Sequence, residues 1–333
     1  MKLLITGGAG FLGGSLARSL LRAGSIDGRC VERLVLADQA PVPEDLARDA
    51  RIGVRTGALL EQCAELGRER FDGVFHLASA VSAECERDFD LGLRSNLDTT
   101  RALLLALRAA GNTPRLVFSS SAAVFGGDPP SLPLPSLVED GTLPTPQTSY
   151  GAQKFACEQL IADFTRKGFI DGRSVRLLTV SVRPGKPNGA ASGFLSGIIR
   201  EPLAGLPSVC PVPLETEVAL ASPRSAISAL CTVYAASRDA FGGRTALNLP
   251  ALCVSVREML VALEAVAGPD VRALVRLDPD PSIERIVATW PARFSAVRAG
   301  RLGLRADASF RAIIEQYVSD HPQVVKVAVS AAA

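Results

Sequence analysis

The stretch that decides the fold reads Thr6-Gly7-Gly8-Ala9-Gly10-Phe11-Leu12-Gly13. It follows a short apolar run at residues 2–6 and opens a helical pattern at residues 11–23, so glycines spaced G-x-x-G-x-x-G lie in a predicted strand-turn-helix unit. Glycine at these positions lets the chain turn sharply, lets the backbone approach a pyrophosphate closely, and lets the helix pack on the strand. The amino end of the helix adds unpaired N–H groups and a partial positive charge. The stretch therefore predicts a dinucleotide-binding site, with a purely structural glycine-rich turn as the alternative.

Short apolar segments alternate with longer helical patterns through the first half of the chain. The pattern predicts strands at residues 2–6, 34–37, 53–57, 71–78, 115–119 and 175–182, and helices at residues 11–23, 97–110 and 150–166. Because parallel strands need long crossover connections, this alternation favours an α/β fold with a doubly wound, Rossmann-type parallel sheet. The proline-rich segment 128–148 is predicted to be an ordered loop.

The character of the sequence changes from about residue 183, where Pro, Gly and Ser become frequent. Helical patterns then return at residues 223–236, 255–267 and 308–319. We therefore expect a dinucleotide-binding domain at residues 1–182 and a smaller, mixed α/β substrate lobe at residues 183–333, with some chain returning to the main sheet.

Composition narrows the classes of function. The 333 residues contain 36 Lys and Arg and 34 Asp and Glu. Proteins that bind nucleic acids usually carry a surplus of basic residues, so this balance argues against a nucleic-acid partner. No apolar run reaches the roughly 18 residues of a membrane-spanning helix, and the apolar start of the chain is too short for a signal peptide. The seven cysteines are scattered, odd in number and without a C-x-x-C pair, which favours reduced thiols in a cytoplasmic protein. With two histidines and no clustered thiols, a metal site is not expected.

A carboxylate follows the second predicted strand, in the sequence Leu34-Val35-Leu36-Ala37-Asp38. At this position Asp38 can accept hydrogen bonds from both hydroxyls of an adenosine ribose and would repel a 2′-phosphate. We therefore expect NAD as the cofactor, with NADP less favoured. A solvated loop aspartate is the alternative.

A tyrosine and a lysine share one face of a predicted helix, since Tyr150 and Lys154 are four residues apart. Ser121 is the last of three serines, 119–121, at the end of the preceding predicted strand. In a doubly wound fold the carboxyl end of that strand faces the same crevice. This set suits the oxidation of an alcohol, with Tyr150 as general base, Lys154 as the cation beside it and Ser121 bound to the reacting oxygen. His76, at the end of an apolar strand, is expected to be a packed residue rather than a proton shuttle.

Three motifs resemble those of the extended short-chain dehydrogenase/reductases, the epimerase/dehydratase superfamily: T-G-G-A-G-F-L-G (6–13), S-S-S-A-A-V-F-G (119–126) and S-Y-G-A-Q-K (149–154). The resemblance extends over nearly the whole chain and implies bound NAD, a homodimer and catalysis by Ser121, Tyr150 and Lys154. The cofactor contacts that it implies are Gly7, Gly10, Phe11, Leu12, Gly13, Asp38, Leu77, Ala78, Ser79, Asn96, Tyr150, Lys154 and Pro184. One position departs from the family pattern, because Gly57-Ala58-Leu59-Leu60 stands where an Asp-Leu pair often holds adenine.

Three further segments, at residues 80–90, 183–194 and 221–226, resemble a narrower subgroup, the D-erythronate dehydrogenases. That resemblance implies oxidation of the 2-hydroxyl of a short sugar acid to the 2-oxo acid. A carboxylate substrate needs a cation, for which Arg183, Lys186 and Arg224 are the candidates. The remaining candidate substrate contacts are Ser82, Ser121, Tyr150 and Asn188. A nucleotide-sugar 4-epimerase or dehydratase with tightly held NAD is the alternative, and a regulator that binds the dinucleotide without chemistry is a third hypothesis.

Overall fold

The computed structural model describes residues 1–127, 132–185 and 191–329. The strands are β1 (Lys2–Thr6), β2 (Ser25–Ile26), β3 (Arg29–Cys30), β4 (Arg33–Asp38), β5 (Ile52–Thr56), β6 (Gly73–His76), β7 (Arg115–Ser121), β8 (Val138–Glu139), β9 (Asp171–Leu177), β10 (Thr179–Val180), β11 (Ser208–Cys210), β12 (Glu217–Ala221), β13 (Leu247–Asn248), β14 (Leu252–Ser255), β15 (Val275–Leu277) and β16 (Phe294–Ser295). The α-helices are α1 (Phe11–Ala23), α2 (Glu44–Ala47), α3 (Leu59–Leu66), α4 (Ser82–Arg87), α5 (Phe89–Gly92), α6 (Thr99–Ala110), α7 (Ser149–Arg166), α8 (Phe194–Leu203), α9 (Pro223–Ala235), α10 (Arg238–Phe241), α11 (Val256–Ala267), α12 (Pro269–Arg272), α13 (Pro281–Val287), α14 (Val297–Arg301) and α15 (Phe310–Asp320).

Seven parallel strands form the central sheet in the order β13-β9-β7-β6-β1-β4-β5. The strand order reverses at β1, because β4 and β5 lie on one side of it and β6, β7 and β9 lie on the other. In sheets of this kind ligands bind beyond the carboxyl ends of the strands at the switch point. The predicted doubly wound α/β fold is therefore confirmed, and the glycine stretch after β1 lies at its switch point.

Helices cover both faces of this sheet. Leu3 and Ile5 of β1 pack in one hydrophobic cluster with Leu16 of α1. Leu4, which points to the opposite face, packs in a second cluster with Leu103 of α6. Burial on both faces explains why the strands read as continuous apolar runs instead of alternating with polar residues.

The second half of the chain builds a lobe around a third cluster, to which α8, α11 and α15 contribute. A small three-stranded sheet has the order β10-β12-β14, and its strands alternate along the chain with the helices of this lobe. β13 pairs in parallel with β9 at the edge of the central sheet, so part of the second half belongs to the first layer. The expected boundary between residues 182 and 183 stays a prediction.

Several local predictions differ from the structure. The single strand predicted at residues 175–182 is wrong, since β9 runs from Asp171 to Leu177 and a separate β10 follows. The pattern misses the start of β9 because Arg173 is a buried charge, whose Nη1 donates to the carbonyls of Val233, Tyr234 and Ala236 at 2.5, 3.0 and 2.6 Å.

Three other segments hold structure that the pattern does not predict. The six residues Leu93–Asp98 form a π-helical turn directly before α6. Residues 25–30 form the antiparallel hairpin β2–β3. The proline-rich segment is described from residue 132 onward and contains β8, which pairs with β16. Arg94 and Ser95 of the π-helical turn line the cavity at the carboxyl edge of the sheet.

Candidate active site

The glycine stretch forms a tight cradle between β1 and α1. Gly7 has φ +73°, and a Cβ there would lie 2.8 Å from the backbone nitrogen of Ala78. A Cβ on Gly13 would lie 2.0 Å from the carbonyl oxygen of Gly7. Helix α1 begins after Gly10 without a side-chain cap and without an acidic residue in its first turn, so its first N–H groups are free to meet an anion. These features fit the pyrophosphate of a dinucleotide.

A cavity of about 980 Å³ extends from this cradle along the carboxyl edge of the sheet. Its lining contains most of the predicted site residues: Gly7, Gly10, Phe11, Leu12, Gly13, Asp38, Leu77, Ala78, Ser79, Ser82, Ser121, Tyr150, Lys154 and Arg183. Asn96, Pro184 and Arg224 are not part of this lining. Lys186 and Asn188 lie outside the described residues. The fold thus brings the predicted cofactor and catalytic groups to one continuous space.

Asp38 ends β4 at the rim of the cavity. Its Oδ2 accepts a hydrogen bond from the backbone N–H of Ala9 at 2.9 Å, and its Oδ1 accepts one from Ala40 at 3.0 Å. These bonds orient the carboxylate beside the glycine cradle and leave lone pairs for further donors. The geometry suits a pair of ribose hydroxyls. Ala58, Leu59 and Leu60 also line the cavity, where they offer apolar surface beside the Glu61 carboxylate.

Asn96 acts behind the cavity wall. It is buried, and its Oδ1 accepts hydrogen bonds from the Ser79 hydroxyl at 2.9 Å and the Ala80 N–H at 2.8 Å. Its Nδ2 donates to Gln153 Oε1 in α7 at 2.8 Å. Asn96 therefore connects the loop after β6 to the helix that carries Tyr150 and Lys154. A direct contact between Asn96 and the cofactor stays a prediction.

Tyr150 lies near the start of α7, where the Thr148 hydroxyl caps the helix by accepting from the Gly151 N–H at 3.0 Å. The tyrosine is half-buried, and this burial raises the pKa of its phenol to about 12, while a hydrogen bond with the Ser121 hydroxyl acts in the opposite direction. Ser121 ends β7 and lies at the cavity wall. The two hydroxyl groups therefore converge at the carboxyl edge of the sheet.

Lys154 lies one helical turn after Tyr150 and is almost fully buried. Its Nζ donates to the Ser119 carbonyl at 2.8 Å and lies 5.5 Å from the centre of the Tyr150 ring. Burial lowers the pKa of Lys154 to about 8. Its ammonium is thus held close to the phenol by the strand that also carries Ser121.

His76 ends β6 beneath the cavity and is buried. Its Nδ1 lies 2.7 Å from the Thr6 hydroxyl and its Nε2 lies 2.9 Å from the Thr100 hydroxyl. Because the Thr100 hydroxyl donates to the Asn96 carbonyl at 2.6 Å, it can only accept from His76, which assigns the proton to Nε2. Burial lowers the pKa of His76 to about 3, so the ring is a neutral, packed residue. This agrees with the expectation from the sequence.

Arg183 extends the lining toward the second lobe. Its Nη2 donates to the Ser192 hydroxyl at 3.2 Å, and its carbonyl accepts from Arg200 Nη1 at 2.8 Å. Burial and the charge of Arg200 lower the pKa of Arg183. Within residues 1–127, 132–185 and 191–329, no carboxylate forms an ion pair with Arg183. Arg224, in contrast, is exposed and pairs with Asp320.

Several lining residues are not predicted by any motif of the sequence. The most informative are Trp290, the one tryptophan of the sequence, and its neighbours Thr289 and Pro291, which follow α13. Arg94 and Ser95 reach the cavity from the π-helical turn. No motif marks these residues, because they reach the cavity only through the packing of distant segments. A motif search therefore finds the cofactor end of the cavity and misses much of its substrate end.

This chain is similar to known proteins over most of its length. The model of the NAD dependent epimerase/dehydratase family matches residues 3–218. The chain belongs to that family. It is 48% identical over 328 residues to D-erythronate dehydrogenase from Cupriavidus necator, and the aligned region covers 96% of this chain and 98% of the relative. It is 40% identical over 324 residues to D-erythronate dehydrogenase from Haemophilus influenzae, which covers 96% and 99% of the two chains.

Two solved structures have the same fold as this chain. A nucleoside-diphosphate-sugar epimerase from Agrobacterium tumefaciens superimposes with a TM-score of 0.90 at 42% identity and covers 97% of this chain and 95% of its own. A GalE-like L-threonine dehydrogenase from Cupriavidus necator superimposes with a TM-score of 0.82 at 21% identity, with 96% and 99% covered, and supports the fold alone. The chain is therefore an enzyme of the NAD-dependent epimerase/dehydratase family, and its two full-length relatives named D-erythronate dehydrogenase are consistent with an NAD-dependent dehydrogenase.

Two further properties concern the described residues. Among them, no helix is long and apolar enough to cross a membrane. In the same part of the chain, no three His, Cys, Asp or Glu side chains are grouped so that they could hold a metal ion.

Proposed function

We propose that this family member oxidises the 2-hydroxyl of D-erythronate, or of a similar short sugar acid, to 2-oxo-tetronate. The observation that carries the proposal is the Arg183 guanidinium, which lines the same cavity as Tyr150 and Ser121 and has no carboxylate partner in the described residues. A cation of this kind, partly removed from water, favours an anionic ligand, and arginine can bind a carboxylate with two parallel hydrogen bonds. The two relatives named D-erythronate dehydrogenase support the choice of acid.

The reaction removes a proton from the hydroxyl oxygen and a hydride from the carbon that bears it, leaving a carbonyl. When bound, NAD would supply the hydride acceptor and a positive charge that would favour the phenolate form of Tyr150. The Tyr150 phenolate accepts the hydroxyl proton, and the Ser121 hydroxyl orients the oxygen from which it leaves. The Lys154 ammonium, 5.5 Å from the tyrosine ring centre, stabilises the phenolate. Because the pKa of Tyr150 is raised to about 12, mainly by burial, forming the phenolate near neutral pH needs positive charge close to the phenol.

Three groups of the chain provide the cofactor contacts in this proposal. The free N–H groups at the start of α1 bind the pyrophosphate, and Asp38 binds the adenosine ribose. Lys154 is the candidate for the nicotinamide ribose, since it is hydrogen-bonded to β7, on the other side of β1 from the strand that Asp38 ends. A carboxylate at position 38 disfavours the 2′-phosphate of NADP, so we expect NAD to be the better cofactor.

The test is a substrate panel with NAD and NADP, read by the absorbance of reduced cofactor. We expect reduction with D-erythronate or another acid of three to six carbons. Arg183→Gln should raise the KM for the acid about ten- to a hundredfold, because a hydrogen bond to a charged group contributes about 1.5–3 kcal/mol. Arg224→Gln is the matched control, since Arg224 lies outside the cavity and pairs with Asp320. Equal effects of the two substitutions would contradict the assignment of Arg183.

The alternative is a nucleotide-sugar 4-epimerase or dehydratase. The observation in its favour is the similar solved structure from Agrobacterium tumefaciens, whose description is that of a nucleoside-diphosphate-sugar epimerase. Such an enzyme returns the hydride to its substrate, so it shows no net cofactor reduction. Conversion of a UDP-sugar without accumulation of reduced cofactor, together with no turnover of any acid in the panel, would select this alternative.

We also propose that the chain forms a homodimer through the outer faces of α6 and its neighbours. Leu105 of α6 and Phe89 of α5 are large apolar side chains with 43% and 58% of their surface exposed. Light scattering tests for the homodimer, and Leu105→Glu should shift the measured mass toward that of a monomer.

All seven cysteines are free, which supports the further proposal of a cytoplasmic location.

A further inference from the structure

A buried ion pair lies directly behind the Ser/Tyr/Lys set. Glu158 follows Lys154 by one turn of α7, and Arg176 lies in β9; they are 2% and 6% exposed. Arg176 Nε donates to Glu158 Oε1 at 3.0 Å, and its Nη2 donates to Oε2 at 2.8 Å. The Ser120 hydroxyl, next to Ser121, donates to the same carboxylate at 2.5 Å. The carboxylate therefore joins the helix of Lys154 to the strand end of Ser121.

The arginine extends this connection to two further segments. Its Nη1 donates to Asn248 Oδ1 in β13 at 3.2 Å, and Asn248 Nδ2 donates to the Glu139 carbonyl in β8 at 2.9 Å. The Arg176 guanidinium also lies over the ring of Phe125, 4.8 Å from its centre. Phe125 lines the cavity close to Ser121 in the chain. The ion pair is thus connected to β13, to β8 through Asn248, and to the cavity-lining ring of Phe125.

Stability alone gives little reason for this arrangement. Two charges lose their hydration when they are buried, and well-packed apolar residues of similar volume often stabilise a protein as much or more. A fully hydrogen-bonded buried network does fix the relative positions of the elements that it joins. Here those elements carry Ser121 on one side and Tyr150 and Lys154 on the other.

We propose, as an extension that rests on the proposed function, that Glu158 and Arg176 are a positioning pair. They hold the end of β7 that carries Ser121 against the helix that carries Tyr150 and Lys154, and the Glu158 carboxylate also stabilises the ammonium of Lys154. Neither residue touches the reacting atoms in this proposal. They act through Ser120 and through the charge of Lys154.

The charges around Lys154 give the direction of the electrostatic effect. The titratable groups around its ammonium are the Tyr150 phenol, the Cys85 and Cys157 thiols, the His76 imidazole and the Glu158 carboxylate. Burial lowers the pKa of Lys154 to about 8, while Cys157, Cys85 and, more weakly, the negative charge of Glu158 act in the opposite direction. Removing that charge should make the ammonium lose its proton at lower pH.

The test compares Glu158→Gln with Arg173→Lys. Arg173 is the matched control because it is a buried arginine of the same strand and pairs with Asp171, at the end of β9 away from the cavity. For Glu158→Gln we expect kcat to fall about ten- to a hundredfold with little change in KM, since small displacements of reacting groups have effects of this size. We expect the alkaline limb of the pH profile to move to lower pH. Arg173→Lys should lower thermal stability and leave kcat and the pH profile unchanged.

A second readout does not need the substrate. The chain has five lysines, so NMR of lysine side chains labelled with ¹³C can follow the titration of Lys154, assigned with Lys154→Met. A lower midpoint in Glu158→Gln than in the wild type supports the proposal. An unmoved midpoint overturns it, whether or not the wild type oxidises any acid of the panel. A fall in kcat of equal size in the Arg173→Lys control overturns it as well.

If Glu158→Gln does not fold, the Ser120→Ala variant tests the positioning role instead. This change removes only the hydroxyl that joins β7 to the carboxylate and keeps the ion pair intact. A severalfold loss of kcat with unchanged stability supports the positioning role, and wild-type kcat overturns it.

Discussion

We predict opposite effects when alanine replaces each of two adjacent glycines of α1, Gly13 and Gly14. A Cβ on Gly13 would lie 2.0 Å from the Gly7 carbonyl oxygen and 2.9 Å from the Gly8 Cα, so the turn must open by about 1 Å to reach the 3.0 Å limit of real contacts. These atoms are backbone and cannot rotate away. A Cβ on Gly14 meets first the Nη1 of Arg18 at 3.3 Å, which is the end of a flexible side chain.

Gly13→Ala should therefore destabilise the fold by about 1–3 kcal/mol, as overpacking does. It should also weaken NAD binding about tenfold or more, at least about 1.4 kcal/mol, because the opened turn moves its N–H groups away from the pyrophosphate. Gly14→Ala should keep NAD affinity and gain up to about 1 kcal/mol, since alanine favours a helix over glycine. Titration calorimetry with NAD and urea unfolding measure both quantities. Wild-type NAD affinity in Gly13→Ala, or the same loss in both variants, would refute the role of the cradle.

Three further predictions concern the polar groups of the site. Asp38→Ala should weaken NAD binding and reduce the preference for NAD over NADP, measured as the ratio of kcat/KM for the two cofactors; an unchanged ratio counts against the ribose contact. Tyr150→Phe should lower kcat by a factor of about a hundred or more while NAD still binds, since general-base catalysis contributes roughly 10²–10⁴-fold; turnover near that of the wild type contradicts the assignment. His76 has a folded-state pKa of about 3 against about 6.5 when unfolded, so below pH 6.5 only the unfolded chain gains this proton. Stability should therefore fall as pH decreases from 6.5 toward 3, by at most about 1.4 kcal/mol per pH unit, and His76→Gln should flatten urea-unfolding stability between pH 7 and 5.

The cofactor end of the site follows from the sequence because its signals are local. The glycine cradle, the strand before it and the helix after it occupy one continuous stretch, and Asp38 ends the strand that pairs with β1. Turn chemistry and helix-terminus electrostatics depend on neighbours within a few residues. Tyr150 and Lys154 likewise share a helix face, which spacing alone predicts.

Local sequence patterns do not predict the contacts of buried polar residues. A strand that contains Arg173 and Arg176 does not read as an apolar segment, although both guanidinium groups are buried and hydrogen-bonded. Asn96 resembles a motif residue that contacts the cofactor, yet its hydrogen bonds go to Ser79, Ala80 and Gln153. Whether a polar side chain meets a ligand or a neighbouring segment depends on tertiary contacts, which hydrophobic periodicity does not contain.

The position of Arg183 bears on the choice between oxidation and epimerisation. Tyr150, Lys154 and NAD can serve both reactions, because both begin by removing a proton and a hydride from one carbinol. An epimerase must then turn the ketone so that its opposite face meets the cofactor. If Arg183 holds the carboxylate of a 2-hydroxy acid, the anchored group is bonded directly to the reacting carbon, and turning the ketone would break that charged contact at a cost of about 1.5–3 kcal/mol. An anchor so close to the reacting centre therefore favours release of the 2-oxo acid over return of the hydride. On this reasoning Arg183→Gln should weaken binding of the acid without converting the enzyme into an epimerase, because it removes the anchor and supplies no site for a nucleotide.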